Sequence, residues 1–130
     1  MLTLNALQLT SLIAMLGSTL YAAGDVLLLA VKASLADYPK LQPHAKLLSG
    51  SEKMVALPWW RLMWGCLLCV FATPLLLAGL WPLYTGLEPA GPWEVWPVVV
   101  LFGIGFAMSP FVHGAFMFLG EYIQALNVLT

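Results

Sequence analysis

Residues Leu9 to Val31 read LTSLIAMLGSTLYAAGDVLLLAV, and the only charge in that run is Asp25. Roughly 20 helical residues cross the ~30 Å hydrocarbon layer of a bilayer, so the run is long enough to be a span. A helix satisfies its own backbone polar groups there, which an irregular segment cannot do. A carboxylate at such a depth is costly unless a partner or water reaches it. The fold must therefore bring something polar to Asp25, and the rest of the chain supplies the candidates.

Composition agrees with a membrane class. Of the 130 residues 62% are hydrophobic and only 8% are charged, and the mean hydropathy is +0.91. A soluble chain of this size leaves too much of its surface in water to hide so many apolar side chains. The apolar runs are continuous rather than alternating, which excludes a β-barrel. The predicted fold class is all-α, an integral membrane helical bundle, with the lipid bilayer as its main partner. A net charge of −1 gives no reason to expect nucleic acid. Tyr21-Ala22-Ala23-Gly24 loosely resembles a signal-peptide cleavage site. However, no basic residue precedes Lys32 and the apolar run continues beyond the site, so no cleavage is expected.

Three spans emerge within a single membrane domain covering residues 1–130: about 9–31, 58–84 and 95–122. The link over 32–57 carries Lys32, Lys40, Lys46 and Lys53, and Arg61 stands at the mouth of the second span. The link over 85–94 has no basic residue, only Glu88 and Glu94. Basic residues favour cytoplasmic loops, which predicts a cytoplasmic first link, an external second link, an outside N-terminus and a cytoplasmic C-terminus. Trp59, Trp60 and Trp64 then fall near the inner interface, and Trp81, Trp93 and Trp96 near the outer one, as aromatic belts do. Ser49 and Glu52 have capping-box spacing and predict a short helix starting there. Pro39, Pro43 and Ser49-Gly50-Ser51 predict an irregular segment before it. Pro58 suits the first turn of the second span, and kinks are predicted at Pro74 and Pro110. Nothing after Trp96 stops a helix, so the third span should run on into the cytoplasm or lead into another element. Three helices make a thin bundle, and the expectation is either further helices beyond the C-terminus or a homo-oligomer.

The polar residues on the spans are few. Ser18, Tyr21 and Asp25 share one face of the first helix, flanked by Gly17 and Gly24, whose small surfaces allow close approach. Ser109 and His113 share a face of the third. Asp25 lies seven residues from Lys32 and His113 eight from Glu121, the two inner-end markers. The first and third spans run parallel, so Asp25 and His113 fall within about a helical turn of each other in depth. A carboxylate and an imidazole each relieve the cost of burying the other, and the two are predicted to touch. Glu121, about 80° around the helix from His113, is better placed as a solvated anchor, although it belongs with the candidates. Gly103, Gly105 and Ala107 predict a packing edge on the third span.

Cys66 and Cys69 form a C-x-x-C pattern in an apolar stretch past the first turn. Redox work wants a helix N-terminus or a cation beside the thiol, so both are expected to pack as small hydrophobes. No metal site is expected, because His44 and His113 lack ligand spacing, and no cofactor motif is present.

YAAGDVLLLA (Tyr21–Ala30), MVALPWWRLMWG (Met54–Gly65), LWPLYTGLEPAG (Leu80–Gly91) and HGAFMFLGE (His113–Glu121) resemble an uncharacterised family of bacterial multi-pass membrane proteins, known only as a domain of unknown function. The resemblance covers about Leu16 to Glu121, with Gly24-Asp25 and His113 as its matching polar positions. It implies a polytopic protein of the bacterial inner membrane with longer relatives, and no activity.

Three functions fit these residues. One is a transporter-like or small-ligand-binding pocket, with Asp25 and His113 at its centre and Tyr21, Ser18, Ser109 and Glu121 as further binding or proton-handling candidates. Another is a membrane-embedded enzyme acting on a lipid-soluble substrate, with the same pair as acid and base. The last is a non-catalytic scaffold or assembly subunit. An enzyme wants a nucleophile or metal beside its base, and a transporter usually shows internal repeats; the sequence displays neither.

Overall fold

The computed structural model describes residues 4–129, so residues 1–3 and 130 of the expected domain lie outside it. The described chain is helical, with no strand among its described residues. Helix α1 spans Ala6–Leu29. A link of 3-10 turns follows, containing the short helix α2 (Ala45–Leu48). Helix α3 spans Trp59–Ala78, α4 spans Leu80–Leu87, and α5 runs unbroken over Pro92–Leu129. Three stretches are long and apolar enough to cross a membrane: α1, the α3–α4 stretch and α5.

Local sequence explains most of the boundaries. α1 begins with a reciprocal cap: Gln8 N–H donates to Asn5 Oδ1 at 2.8 Å, and Asn5 N–H donates to Gln8 Oε1 at 3.1 Å. Pro58 caps the start of α3 rather than lying in its first turn. The path does not break at Pro74, which sits inside α3; it breaks at Gly79, between α3 and α4. A proline forfeits one helical hydrogen bond, and here the residue that ends the run is the glycine five positions later. α5 is likewise continuous through Pro97 and Pro110. At 1.5 Å per residue its 38 residues reach about 57 Å, more than a hydrocarbon layer requires.

The link is more ordered than its prolines predict. Pro39–His44 forms a 3-10 run that leads directly into α2. Ser49 ends α2 instead of capping the next turn, which starts at Glu52 after Ser51 without any side-chain cap. Burial holds the link in place: Leu41 and Leu48 close around Ile123 of α5, with Leu35, Tyr38, Val55, Leu119 and Leu126 around them. Gln124 completes the seam by donating to the carbonyls of Met54 and Leu57, at 2.9 and 2.8 Å. The overlong end of α5 is thus covered by the link, which places the two at the same end of the bundle.

α3 is the central helix. α1 and α5 both pack along it, and they meet each other through side chains rather than by close backbone approach. The α1–α3 contact is close because glycines line it. A Cβ on Gly24 would stand 2.5 Å from Cys69 Sγ and 2.7 Å from the Gly65 carbonyl oxygen, so no larger residue fits without separating the helices. Gly17 meets Leu75 and Leu76 in the same way. By contrast, Gly105 was expected at a packing edge and faces open space, with only Gly103 touching Leu80. The outer faces carry large exposed apolar side chains, among them Met15, Phe71, Leu101, Phe111 and Phe118. All six tryptophans are also exposed, Trp93 the most at 88%.

Candidate functional site

With α1 and α5 both seated on α3, a cleft of about 340 Å³ remains between them. Its walls are Ser18, Tyr21, Ala22 and Asp25 of α1, Leu76 of α3, and Gly105, Phe106 and Ser109 of α5. The absent side chain of Gly105 opens it. A larger hollow of about 490 Å³ lies between Pro92, Trp93, Trp96, Pro97 and Val100, but no titratable side chain lines it.

His113 stands at the floor of the polar group, and its ring is held from both sides. Nε2 lies 3.4 Å from Asp25 Oδ1. Nδ1 lies 3.0 Å from the Ser109 carbonyl oxygen, 3.3 Å from Ser109 Oγ and 3.4 Å from Tyr21 Oη. The Tyr21 ring meets the imidazole edge-on, with centroids 4.9 Å apart, and Phe116 packs edge-on as well. Ser109 Oγ closes the group with a 3.1 Å hydrogen bond to Tyr21 Oη. Asp25, with its side chain 39% exposed, faces the cleft, while the His113 side chain is only 8% exposed.

Both ring nitrogens face oxygens that accept. The shortest contact, to the Ser109 carbonyl, suits a donor at Nδ1, and the Asp25 carboxylate at Nε2 is likewise an acceptor. With Nδ1 as the donor, Nε2 meets a carboxylate oxygen that cannot donate to it. The arrangement is favourable when a positive charge sits between them, either a proton on Nε2 or another cation.

Of the residues singled out from sequence, Tyr21, Asp25, Ser109 and His113 are brought together. Ser18 lines the cleft mouth, with its hydroxyl donating to the Ala14 carbonyl at 2.9 Å. Glu121 is exposed and about 12 Å farther along α5 than His113, outside the group.

Two residues carry more than the sequence predicts. Cys66 packs with Leu28, Leu57 and Leu62, as a small hydrophobe does. Cys69 does not: its thiol lies 3.6 Å from the Tyr21 carbonyl and 3.9 Å from Asp25 Oδ1. The C-x-x-C pattern drew attention to the pair as a unit and hid the difference between its members. Arg61 is no mere interface anchor. Its guanidinium donates to the carbonyls of Leu27 at 3.0 Å, Val26 at 3.2 Å and Ala30 at 3.5 Å. Lys53 reaches the Leu29 carbonyl at 3.4 Å. Together they cover the carbonyl-rich end of α1, where a cation is favourable; of these carbonyls, that of Val26 also accepts from the Ala30 amide.

The chain belongs to a family of unknown function, DUF6796, whose model matches residues 3–120. The match covers the whole cleft. No curated protein and no solved structure matches the chain.

Proposed function

We propose that this member of the family is an integral protein of the bacterial inner membrane that binds a small polar solute in the cleft between α1 and α5. The carrying observation is the convergence of Tyr21, Asp25 and Ser109 at the cleft, with His113 bonded to them behind it, deep within stretches that are otherwise apolar. Ionisable groups inside a span face a bundle interior or water and mark ligand or proton paths. Here Asp25 faces the cleft and His113 lies behind it. The fitting ligand is a small molecule with hydrogen-bond donors or a positive charge, because the exposed member of the group is a carboxylate.

Exposed apolar helix faces and tryptophans at both ends support the membrane setting, since a soluble monomer rarely exposes large contiguous apolar patches. The four lysines of the link support a cytoplasmic placement for that end. The end of α5 lies there too, and the N-terminus lies opposite.

Water access tests the reading. Gly105→Cys places a thiol where nothing crowds it, on the cleft wall. In native membranes it should react with a hydrophilic thiol reagent, and an added ligand should protect it. Phe111→Cys, 72% exposed on the outer apolar face of the same helix, should stay inert because lipid covers it. Equal inertness of both would overturn the pocket.

A further inference from the structure

The cluster contains one donor more than a carboxylate–imidazole pair requires. Asp25, Cys69 and His113 each bring a potential ligand atom, and the three atoms lie within 4.8 Å of one another. They come from α1, α3 and α5, so only the folded bundle assembles them. We propose that Asp25 Oδ1, Cys69 Sγ and His113 Nε2 form a three-ligand site for a borderline divalent transition ion such as Zn²⁺, with the fourth position open to the cleft.

Donor chemistry comes first. A thiolate, an imidazole and a carboxylate form a mixed S, N, O set, which suits Zn²⁺ and its neighbours and does not suit Mg²⁺ or Ca²⁺. Three protein ligands with one open position is the pattern of sites that hold a water or substrate, whereas structural zinc is closed by four. Here the open side is available, because Asp25 faces the cleft.

Geometry follows. Metal–ligand lengths of about 2.0–2.3 Å around a tetrahedral ion set neighbouring ligands roughly 3.3–3.7 Å apart. The observed Nε2–Oδ1 separation of 3.4 Å falls in that range, while the Sγ–Oδ1 separation of 3.9 Å and the remaining Sγ–Nε2 pair, within 4.8 Å, would close by a small side-chain adjustment on binding. The supporting contacts also fit. A metal-ligating histidine usually donates its other nitrogen to a carbonyl, which fixes tautomer and ring orientation. His113 Nδ1 makes that contact with Ser109 O at 3.0 Å, leaving Nε2 free to ligate.

Charge balance favours the ion. A proton between Asp25 and His113 satisfies that pair and leaves the thiol to the Tyr21 carbonyl at 3.6 Å, whereas an ion engages all three side chains. A divalent ion with one carboxylate and one thiolate is neutral as a unit, which lowers the cost of the cluster in an apolar surrounding. Binding releases the Cys69 proton to solvent, and no oxidation or reduction is involved.

The inference deepens the pocket reading and rests on it, but its test is separate. The full chain, purified in detergent under reducing conditions and stripped with chelator, is titrated with Co²⁺ as a coloured substitute for Zn²⁺. The expected result is a thiolate-to-cobalt charge-transfer band with the visible absorption of a tetrahedral ion, both displaced by Zn²⁺. Cys69→Ser should abolish the charge-transfer band while retaining the wild-type helical circular dichroism. Cys66→Ser should keep the band, since Cys66 lies in the apolar core. Should Cys69→Ser fail to fold, His113→Gln serves instead and should weaken Co²⁺ binding at least tenfold. Absence of the band in the wild type, its persistence in Cys69→Ser or its loss in Cys66→Ser would overturn the metal site. None of these readouts involves Gly105, so the accessibility of the cleft stands or falls on its own result.

Discussion

Arg61 shows how one side chain does work that its place in the sequence does not announce. Its position at the start of the second span, next to tryptophans, reads as an interface anchor. The fold turns it onto the last carbonyls of α1: those of Leu27 and Ala30, and that of Val26, which also accepts from the Ala30 amide at 3.1 Å. Removing it as Arg61→Leu should lower stability in detergent unfolding by about 1–2 kcal/mol, the range for hydrogen bonds from a charged donor near solvent. Arg61→Lys should recover only part, because one ammonium cannot span the carbonyls as the planar guanidinium does. Equal stability of wild type and Arg61→Leu would contradict this role. Glu52 offers a titration at the same scale. The backbone amides of Glu52 and Gly50, with Lys53 adding a smaller pull, hold its exposed carboxyl below the ordinary glutamate value. A lowered value means the contact stabilises the fold above the ordinary carboxylate range and is lost as pH falls through the lowered midpoint. Carboxyl-carbon NMR should place that midpoint below the ordinary glutamate value; a midpoint at that value would contradict it. Asp25, His113, Tyr21 and Ser109 could be found from sequence because polar residues in apolar runs stand out and depth can be counted from the inner-end markers. Cys69 could not, since a cysteine among leucines looks the same whether it packs or faces a carboxylate.

At the scale of elements, the α1–α3 seam sets the geometry of the site. Gly24 lets α1 approach until Asp25 and Cys69 come within 3.9 Å. Gly24→Ala improves intrinsic helix propensity by about 1 kcal/mol, yet its methyl group meets the Gly65 carbonyl and the Cys69 sulfur. Overpacking of this kind costs about 1–3 kcal/mol, so the clash outweighs the propensity and the thermal midpoint should fall. Gly86→Ala in α4 meets nothing within 4 Å and should leave the midpoint unchanged or raise it. A midpoint that rises for Gly24→Ala as well would mean that the seam is loose. Span positions were readable because a long apolar run admits little but a helix. The ordering of the link was not, because its 3-10 turns are held by distant Ile123 and Gln124 rather than by local signals. The break at Gly79 was hidden for a related reason: a proline weakens a helix locally, but neighbouring packing decides where the chain turns.

For the whole molecule, the three long stretches, the link closed onto the end of α5 and the cleft form one arrangement. The proposed sidedness rests on the lysines of the link. A cysteine at Lys46 should label only after the membrane is permeabilised, and one at Gly86 should label from outside; the reverse pattern would invert the topology. The cleft exists because α1 and α5 share α3 and leave a gap that polar side chains bridge. That bridge is the centre of the account, and the stability of the whole bundle reports on it. The most direct measurement is a double-mutant cycle of Asp25→Asn and His113→Ala, followed by unfolding in detergent with chelator present, so that the pair is measured without a metal ion. If the side chains interact across the cleft, the double variant should lose less than the sum of the single losses. The coupling should be about 0.5–3 kcal/mol for residues in contact, near the lower end because membrane hydrogen bonds average ~0.6 kcal/mol in such cycles. Additivity within about 0.3 kcal/mol would contradict the account and leave Asp25 and His113 as neighbours without an interaction.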